Sequence, residues 1–283
     1  MIEQIESIAP YTVVVAAVLF VMERVFPLRH SRFPFFRRLF LNLTLSALTF
    51  LVAFIFVRPL INYIFALPAD SMIGILSFFP EQSFYRIVAA FLLLDLSFYY
   101  WHRANHRFSF LWRFHNVHHF DGDLDVSTGA RFHPVEIFLS GGIRIFQILI
   151  IGVSLKEYLL YELFFQFATF FHHSNLRLPR VLDSLLSKII VTPRMHGIHH
   201  SHFKDETNSN YSVIFSFWDR LHRSFRYDVE VEQLVIGVPG YPHQEFGNIK
   251  SSLTAPFHEQ KDYWRDSDNN YYEARPKEGK DYE

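Results

Sequence analysis

The feature that most constrains how this chain can fold is the charge it lacks over long stretches. Ser7 to Met22 carries no charged side chain, and neither does Leu39 to Val57. A bilayer crossing needs about 20 apolar residues. The second run is long enough alone, and its apolar character resumes from Leu60 to Leu67; the first is slightly short. Three later runs are nearly as apolar: Ile87 to Trp101 is interrupted by Asp95, Ile137 to Leu155 by Arg144 and Gln147, and Tyr158 to Phe171 by Glu162. This pattern predicts an all-α, multi-pass membrane bundle of four or five segments. The acidic start, with Glu3 and Glu6, argues against a cleaved signal peptide.

Arginines set the expected orientation. The loop after the first run holds Arg24, Arg29, Arg32, Arg37 and Arg38, whereas Ala69 to Glu81 holds no Lys or Arg. The positive-inside rule places the first loop in the cytoplasm and the N-terminus outside. The third run then delivers His102 to the cytoplasmic side. The last two runs form a tight hairpin that returns His172 and His173 to the same side. The expected organisation is a membrane hairpin over 1–82 with a short apolar re-entrant segment at Met72 to Phe79, a catalytic domain over 83–229, and a polar tail over 230–283. From Lys261 onward the tail is expected to be poorly ordered or laid on the surface.

Histidine is the chemical signal. Twelve of the sixteen histidines lie between His102 and His202. Eight of these form three clusters: His102 and His106; His115, His118 and His119; His196, His199 and His200. Residues at i, i+3 and i+4 share a helix face, so each cluster can aim its ring nitrogens at one point. Neutral imidazole is the commonest metal ligand. Eight ligands exceed the four that zinc usually takes and suit two ions with open positions. Thr192-Pro193 is a good start for the helix that carries the last cluster. If the third span simply continues as helix, His115 to His119 follow about two and a half turns beyond His106. The chain has no Glu-x-x-His pair, which excludes a carboxylate-bridged di-iron bundle. It also has no cysteine, so disulfides, Cys-ligated zinc and iron–sulfur clusters are excluded. Imidazole alone does not choose between iron, zinc, copper and nickel.

Lesser candidates surround the clusters. His172 or His173 is a possible ninth ligand. Asp95, a carboxylate inside a membrane span, is expected either to hold a ligand histidine in its tautomer or to pair with Arg144 or Gln147. His133, Asn175 and Asp219, together with Arg131 and Glu136, are candidates for the groups that support the ligands. His202 and His222 are read as supporting or surface groups, and His30, His243 and His258 as background. A net charge of −1 gives no electrostatic case for nucleic acid. No Gly-rich dinucleotide or phosphate loop is present, so electrons for a redox reaction would come from a partner.

The clusters and their surroundings resemble the fatty acid hydroxylase / sterol desaturase superfamily over roughly Leu94 to Phe225. The residues that carry the resemblance are Asp95 to Arg103, Leu111-Trp112-Arg113-Phe114-His115-Asn116-Val117-His118-His119, Thr192-Pro193-Arg194-Met195-His196-Gly197-Ile198-His199-His200, and Asn210-Tyr211-Ser212 leading to Trp218-Asp219-Arg220-Leu221. Loop details are most similar to the alkylglycerol monooxygenase-like or bacterial sterol-desaturase-like branch. Ser212 and His222-Arg223-Ser224 depart from the family pattern without touching the clusters.

The resemblance implies a cytosolic helical cap over a non-haem di-iron centre. It implies two iron ions (with zinc a possible substitute in a purified sample), O2 as co-substrate, and hydroxylation or desaturation of a membrane lipid such as a sterol or fatty acyl chain. It also implies an electron-transfer partner of the cytochrome b5, ferredoxin or reductase kind, in the bacterial inner membrane or endoplasmic reticulum. Two other readings of the residues stand beside it: a zinc-dependent membrane hydrolase, and a non-catalytic lipid- or metal-binding membrane protein.

Overall fold

The computed structural model describes residues 9–68, 74–81 and 83–276. Among these residues the protein is helical, with only isolated bridges such as Pro27–Leu176 and Ile190–Phe215 in place of strands. Helix α1 is Ala9–Val25, α2 is Phe35–Ala66, α3 is Phe84–Arg107, α4 is Ser109–His119, α5 is Pro134–Ile151 and α6 is Leu155–His173. The shorter α7 (Arg180–Leu186) and α8 (Pro193–His199) follow.

By length and composition, α2, α3 and α5 can each cross a membrane. The expected spans at Ser7–Met22 and Tyr158–Phe171 correspond to α1, of 17 described residues, and α6, of 19. Large apolar side chains point outward along these helices: Val14, Val18 and Val21 on α1, Phe40, Phe50 and Phe54 on α2, Phe138 and Phe146 on α5. A soluble surface rarely exposes apolar patches on this scale. The helices instead present the lipid-facing surface of an integral membrane protein.

Inward faces close a core in which Leu94 of α3, Ile148 and Ile151 of α5 and Tyr161 and Phe165 of α6 meet. Local sequence places the ends. Ser83 caps α3, accepting from the Arg86 N–H at 3.1 Å, and Ser154 and Glu157 form a reciprocal capping box on α6. Between α5 and α6 the turn is only residues 152–154. Gly152 sits there at φ +75°, and a Cβ would fall 2.9 Å from the Gly74 Cα, so glycine is required both by conformation and by the close backbone approach. Arg86 fastens this end of the bundle by donating to Leu76 O, Gly152 O and Glu157 Oε1 at 2.7, 3.0 and 2.9 Å.

Three expectations change. First, α3 does not continue into the second histidine cluster. Phe108 is extended (φ −98°, ψ 119°), and α4 begins afresh at Ser109. A straight continuation would carry His115 and His119 away from His102 and His106; the break folds them back onto that pair. Second, the stretch read as a re-entrant segment falls partly outside the described residues. From Gly74 onward it is a 3₁₀ turn, Ile75–Phe78, with Leu76 buried and Phe78 exposed. Third, residues from Glu230 are no simple polar tail. Val238, Tyr241, Ala255 and Trp264 pack with Leu41, Leu45, Trp112 and Phe120 beneath the second histidine cluster, because they supply the apolar cover that α4 lacks on that side. The stretch from Lys261 lies along the surface, pinned by Trp264 and by an ion pair between Arg275 and Glu206 at 2.8 Å.

Candidate metal centre

Nine histidines converge where α3, α4, α6 and α8 meet. They form two groups whose ligand-capable nitrogens lie within 4.8 Å of one another: His102, His106, His115, His119 and His199 in the first, and His118, His173, His196 and His200 in the second. Helix spacing explains the division. On α4, His115 and His119 stand one turn apart and face the α3 pair, while His118 points to the neighbouring group. On α8, His196 faces His173 of α6 and His199 faces α3, while His200, the residue that ends the helix, faces His118 and His119 of α4. Thr192 caps α8, accepting from the Met195 N–H, with Pro193 at its first position. Of the two adjacent histidines at the end of α6, His173 joins the second group. His172 lies beside it, its ring 4.1 Å from His196, but outside both groups.

The outer ring nitrogens are fixed by the fold. Carbonyl oxygens can only accept, so each Nδ1 facing one must carry the proton. His102 Nδ1 donates to Tyr211 O at 2.7 Å, His118 to Arg131 O at 3.0 Å, His173 to Thr169 O at 2.7 Å and His199 to Ser209 O at 2.7 Å. His115 Nδ1 instead meets Glu136 Oε1 at 2.7 Å. This leaves Nε2 as the free lone pair on each ring, the outer-shell arrangement typical of metal-binding histidine.

The Nε2 atoms of neighbouring rings face one another. Nε2 to Nε2 distances are 3.2 Å for His115–His119, 3.0 Å for His118–His173, 2.9 Å for His173–His196 and 3.1 Å for His196–His200. Both ring nitrogens of His106, and Nε2 of His199, are buried with no hydrogen-bond partner. A ring whose Nδ1 is already protonated and donating cannot donate again from Nε2 while neutral. Converging acceptors without a donor are costly to bury; a cation between them removes that cost. Burial, reinforced by the facing imidazoles, holds His118, His119, His196, His199 and His200 well below the ordinary histidine value of 6.5. Such rings are neutral at pH 7, the form that binds metal.

Behind the histidines lies a charge network that the sequence reading did not single out. Arg38, fully buried on α2, donates through Nε and Nη2 to Asp121 at 2.8 and 2.9 Å and through Nη1 to Asp125 at 2.9 Å. Burial alone would raise the Asp121 carboxyl, but Arg38 and Arg131 overcome it and hold the group well below its usual 3.8. Arg131 Nη1 donates to Asn42 Oδ1 at 2.9 Å, and the Arg131 carbonyl is the acceptor that orients His118. The alternating Asp121-x-Asp123-x-Asp125 and the lone Arg38 are visible in sequence, but nothing local says that they meet.

Of the remaining candidates, Asp95, His133 and Asn175 bond no clustered histidine, whereas Asp219 supports one indirectly. Asp95 contacts neither a clustered histidine nor Arg144. It accepts from the backbone of Ile214 and Phe215 and from Trp218 Nε1 at 3.4, 3.1 and 2.9 Å, pinning the loop behind α8. Its expected partners are taken: Gln147 bonds Ser97 at 2.8 Å and Arg144 pairs with Glu162 at 2.5 Å. His133 caps α5, accepting from the Val135 N–H at 3.1 Å. Asn175 binds the Arg29 backbone at 2.9 and 2.8 Å, outside the cluster. Asp219 accepts from Tyr211 N and Ser212 N at 2.8 and 3.0 Å, and so positions the strip whose Tyr211 carbonyl orients His102.

A cavity of about 410 Å³ opens onto the histidines. Its far walls are hydrocarbon, with Phe50, Ala53, Val57 and Ile61 of α2 among them. Here α2 widens into a π-helical turn, Ala53–Val57, a local distortion often found at functional sites. Phe50 on that wall is also lipid-facing.

Comparison with known proteins agrees with this geometry. The chain is 28% identical over 182 residues to the ornithine lipid hydroxylase OlsE of Rhizobium tropici, covering 64% of this chain and 53% of that one. It is 27% identical over 187 residues to human alkylglycerol monooxygenase, covering 65% and 40%. It is 24% identical over 148 residues to human cholesterol 25-hydroxylase, covering 50% and 52%. The chain thus spans about half or less of the length of these relatives. No solved structure matches it. Residues 87–224, which contain all nine converging histidines, match the Fatty acid hydroxylase family model.

Proposed function

We propose that this protein is an O2-dependent membrane oxygenase that hydroxylates or desaturates a lipid at a di-iron centre. The observation that carries the reading is the pair of all-imidazole groups at the end of an apolar cavity in a membrane bundle. One ion would be held by His102, His106, His115, His119 and His199, and the other by His118, His173, His196 and His200. When bound, the metals supply the oxidising power that side chains lack. The names of the relatives, which hydroxylate or monooxygenate lipids, favour redox chemistry over hydrolysis.

The chain's own residues bind and orient. The α2 wall admits an apolar chain from the bilayer and excludes water. Tyr211 O, Arg131 O, Ser209 O, Thr169 O and Glu136 hold the imidazoles in one tautomer. Hydroxylation balances as one C–H bond and O2, with two electrons and two protons, giving C–OH and water. The electrons come from an external electron-transfer protein of the cytochrome b5, ferredoxin or reductase class. The Arg24 to Arg38 loop lies at the histidine end of the bundle, where Arg38 meets Asp121. The positive-inside rule then puts the centre on the cytoplasmic face.

Protein purified from iron-supplemented cells is expected to carry two irons per chain. Cells that express it are expected to show a lipid gaining one oxygen or losing two hydrogens, only in air. Well under one metal per chain, or turnover that persists without O2, overturns the reading.

A further inference from the structure

The histidines do not use the most unusual group on the cavity wall. Arg144 of α5 and Glu162 of α6 both line it, each only 9% exposed, with Nη1 and Oε1 2.5 Å apart. The guanidinium lies against the rings of Phe98 and Phe165, at 4.8 and 4.5 Å, and those rings are themselves 4.5 Å apart, so both stand on one side of it. Although Nη1 and Oε1 touch, neither completes a hydrogen bond of regular geometry. Gln166, one turn beyond Glu162, adds a polar group to the same wall. A buried ion pair is a weak way to join two helices, and an ionisable pair inside a membrane bundle that faces a cavity marks a ligand site.

We infer that the Arg144–Glu162 pair anchors an uncharged hydrogen-bonding group, a hydroxyl or amide, on a lipid whose chain runs along the cavity to the histidines. The inference rests on the cavity being the substrate site proposed above. The pair offers a donor and an acceptor side by side with no net charge. A hydroxyl or amide satisfies both at once. A carboxylate or phosphate would bring a like charge against Glu162 in a low-dielectric site, and a quaternary ammonium would bring one against Arg144.

Position then follows from helix geometry. Arg144 lies eight residues along α5 from Glu136, which holds His115, a rise of about 12 Å. Glu162 lies eleven residues before His173 on α6, a rise of about 16 Å. These are separations along the helix axes, so the oxidised carbon lies several carbon–carbon bonds of about 1.5 Å from the anchored group.

The test is equilibrium binding of three tritiated probes of equal chain length to the metal-loaded, detergent-purified full chain: hexadecan-1-ol, hexadecane and palmitate, each measured against protein-free micelles. The alcohol is expected to bind about tenfold or more tighter than the alkane and the carboxylate, the size of one charge-assisted hydrogen bond. In the double variant Arg144→Met, Glu162→Leu that preference is expected to fall to within about twofold, with alkane affinity and metal content unchanged. Replacing a buried pair by apolar side chains is often neutral for folding. Should the double variant nevertheless lose its metal, Glu162→Gln decides: removing the like charge is expected to raise palmitate affinity about tenfold. Equal binding of alcohol and alkane to the wild type, no binding of any probe, a preference that survives the double variant, or unchanged palmitate affinity in Glu162→Gln each overturns the inference. A pair serving only as a clamp would shift none of these preferences. Because no turnover is measured, a protein with the expected preference but no O2 consumption would sink the oxygenase reading and leave the anchor standing.

Discussion

Glu136 gives the sharpest test of how the two histidine groups divide. Its Oε1 lies 2.7 Å from His115 Nδ1, and among the described residues it is the only carboxylate bonded to a clustered imidazole. Glu136→Leu leaves a buried imidazole N–H without an acceptor, a loss of about 1–3 kcal/mol. Loss of such a partner typically weakens metal binding about 10–100-fold, equivalent to about 1.4–2.7 kcal/mol, so the two estimates agree in size. The loss belongs to one ion alone, because His118 and His173 of the other group bond Arg131 O and Thr169 O. Chelator competition on the purified protein is expected to show two release steps, of which Glu136→Leu weakens one by about 10–100-fold and leaves the other in place. Glu136→Gln keeps an acceptor oxygen and is expected to cost less than about tenfold. A shift of both steps together, or of neither, would refute the assignment of His115 to a group separate from His118.

Other outcomes follow from the same geometry. His173→Ala is expected to lower the iron content from two towards one per chain, while His172→Ala, whose ring lies outside both groups, keeps both ions; elemental analysis of the two variants decides. Arg38→Leu strands the carboxylates of Asp121 and Asp125 in a buried site, and the expected loss is about 3–5 kcal/mol, read as a fall in the thermal midpoint in detergent. The metal-free protein is expected to weaken in mild acid. His118, His119, His196, His199 and His200 stay neutral in the folded state well below 6.5, whereas in the unfolded chain they take up protons as pH falls through 6.5. Stability is therefore complete above that value and lost below it, by up to about 1.4 kcal/mol per pH unit for each ring. A denaturation midpoint that is flat between pH 7.5 and 5.5 would contradict the burial of these rings.

How much of this was legible in the sequence depended on the range of the interactions involved. The helical bundle and the eight box histidines follow from local patterns: charge-free runs, and spacings of three and four. The cap of α8 was equally local, since Thr192 and Pro193 are adjacent to the helix that they start. What depended on chain reversal was not legible. Phe108 carries no strong breaker signal, so nothing local announced that α4 would fold back on α3. Asp95 was read as serving a histidine or Arg144 because its role is set by a loop 119 residues away. The acceptors that orient His102, His199 and His173 are backbone carbonyls, which every residue possesses, so composition cannot point to them.

Charge shows how the parts of this site belong together. All nine converging side chains are imidazoles, so the proposed ligand set brings no negative charge to two divalent ions. Asp121, Asp123 and Asp125 begin two residues after His119, yet the fold turns them away, setting Asp121 between Arg38 and Arg131 and Asp125 between Arg38 and Arg24. Among the described residues only Glu136 reaches a ligand, through the far nitrogen of His115. A centre built this way keeps most of its positive charge, in a bundle whose interior screens charge poorly. That surplus disfavours any cationic group near the histidines and favours an apolar chain, which asks nothing of the electrostatics. It also gives a reason for the polar group of the lipid to be held at Arg144 and Glu162, about 12 Å along α5, where the local charges already cancel. Reversing the Arg144–Glu162 pair should then leave alcohol binding intact, whereas moving a carboxylate beside the histidines, as in Asn105→Asp on the cavity wall, should tighten metal binding and weaken the oxidant. If Asn105→Asp left both metal affinity and the reduction potential of the centre unchanged, the ligand set would not be the uncompensated one that the geometry describes.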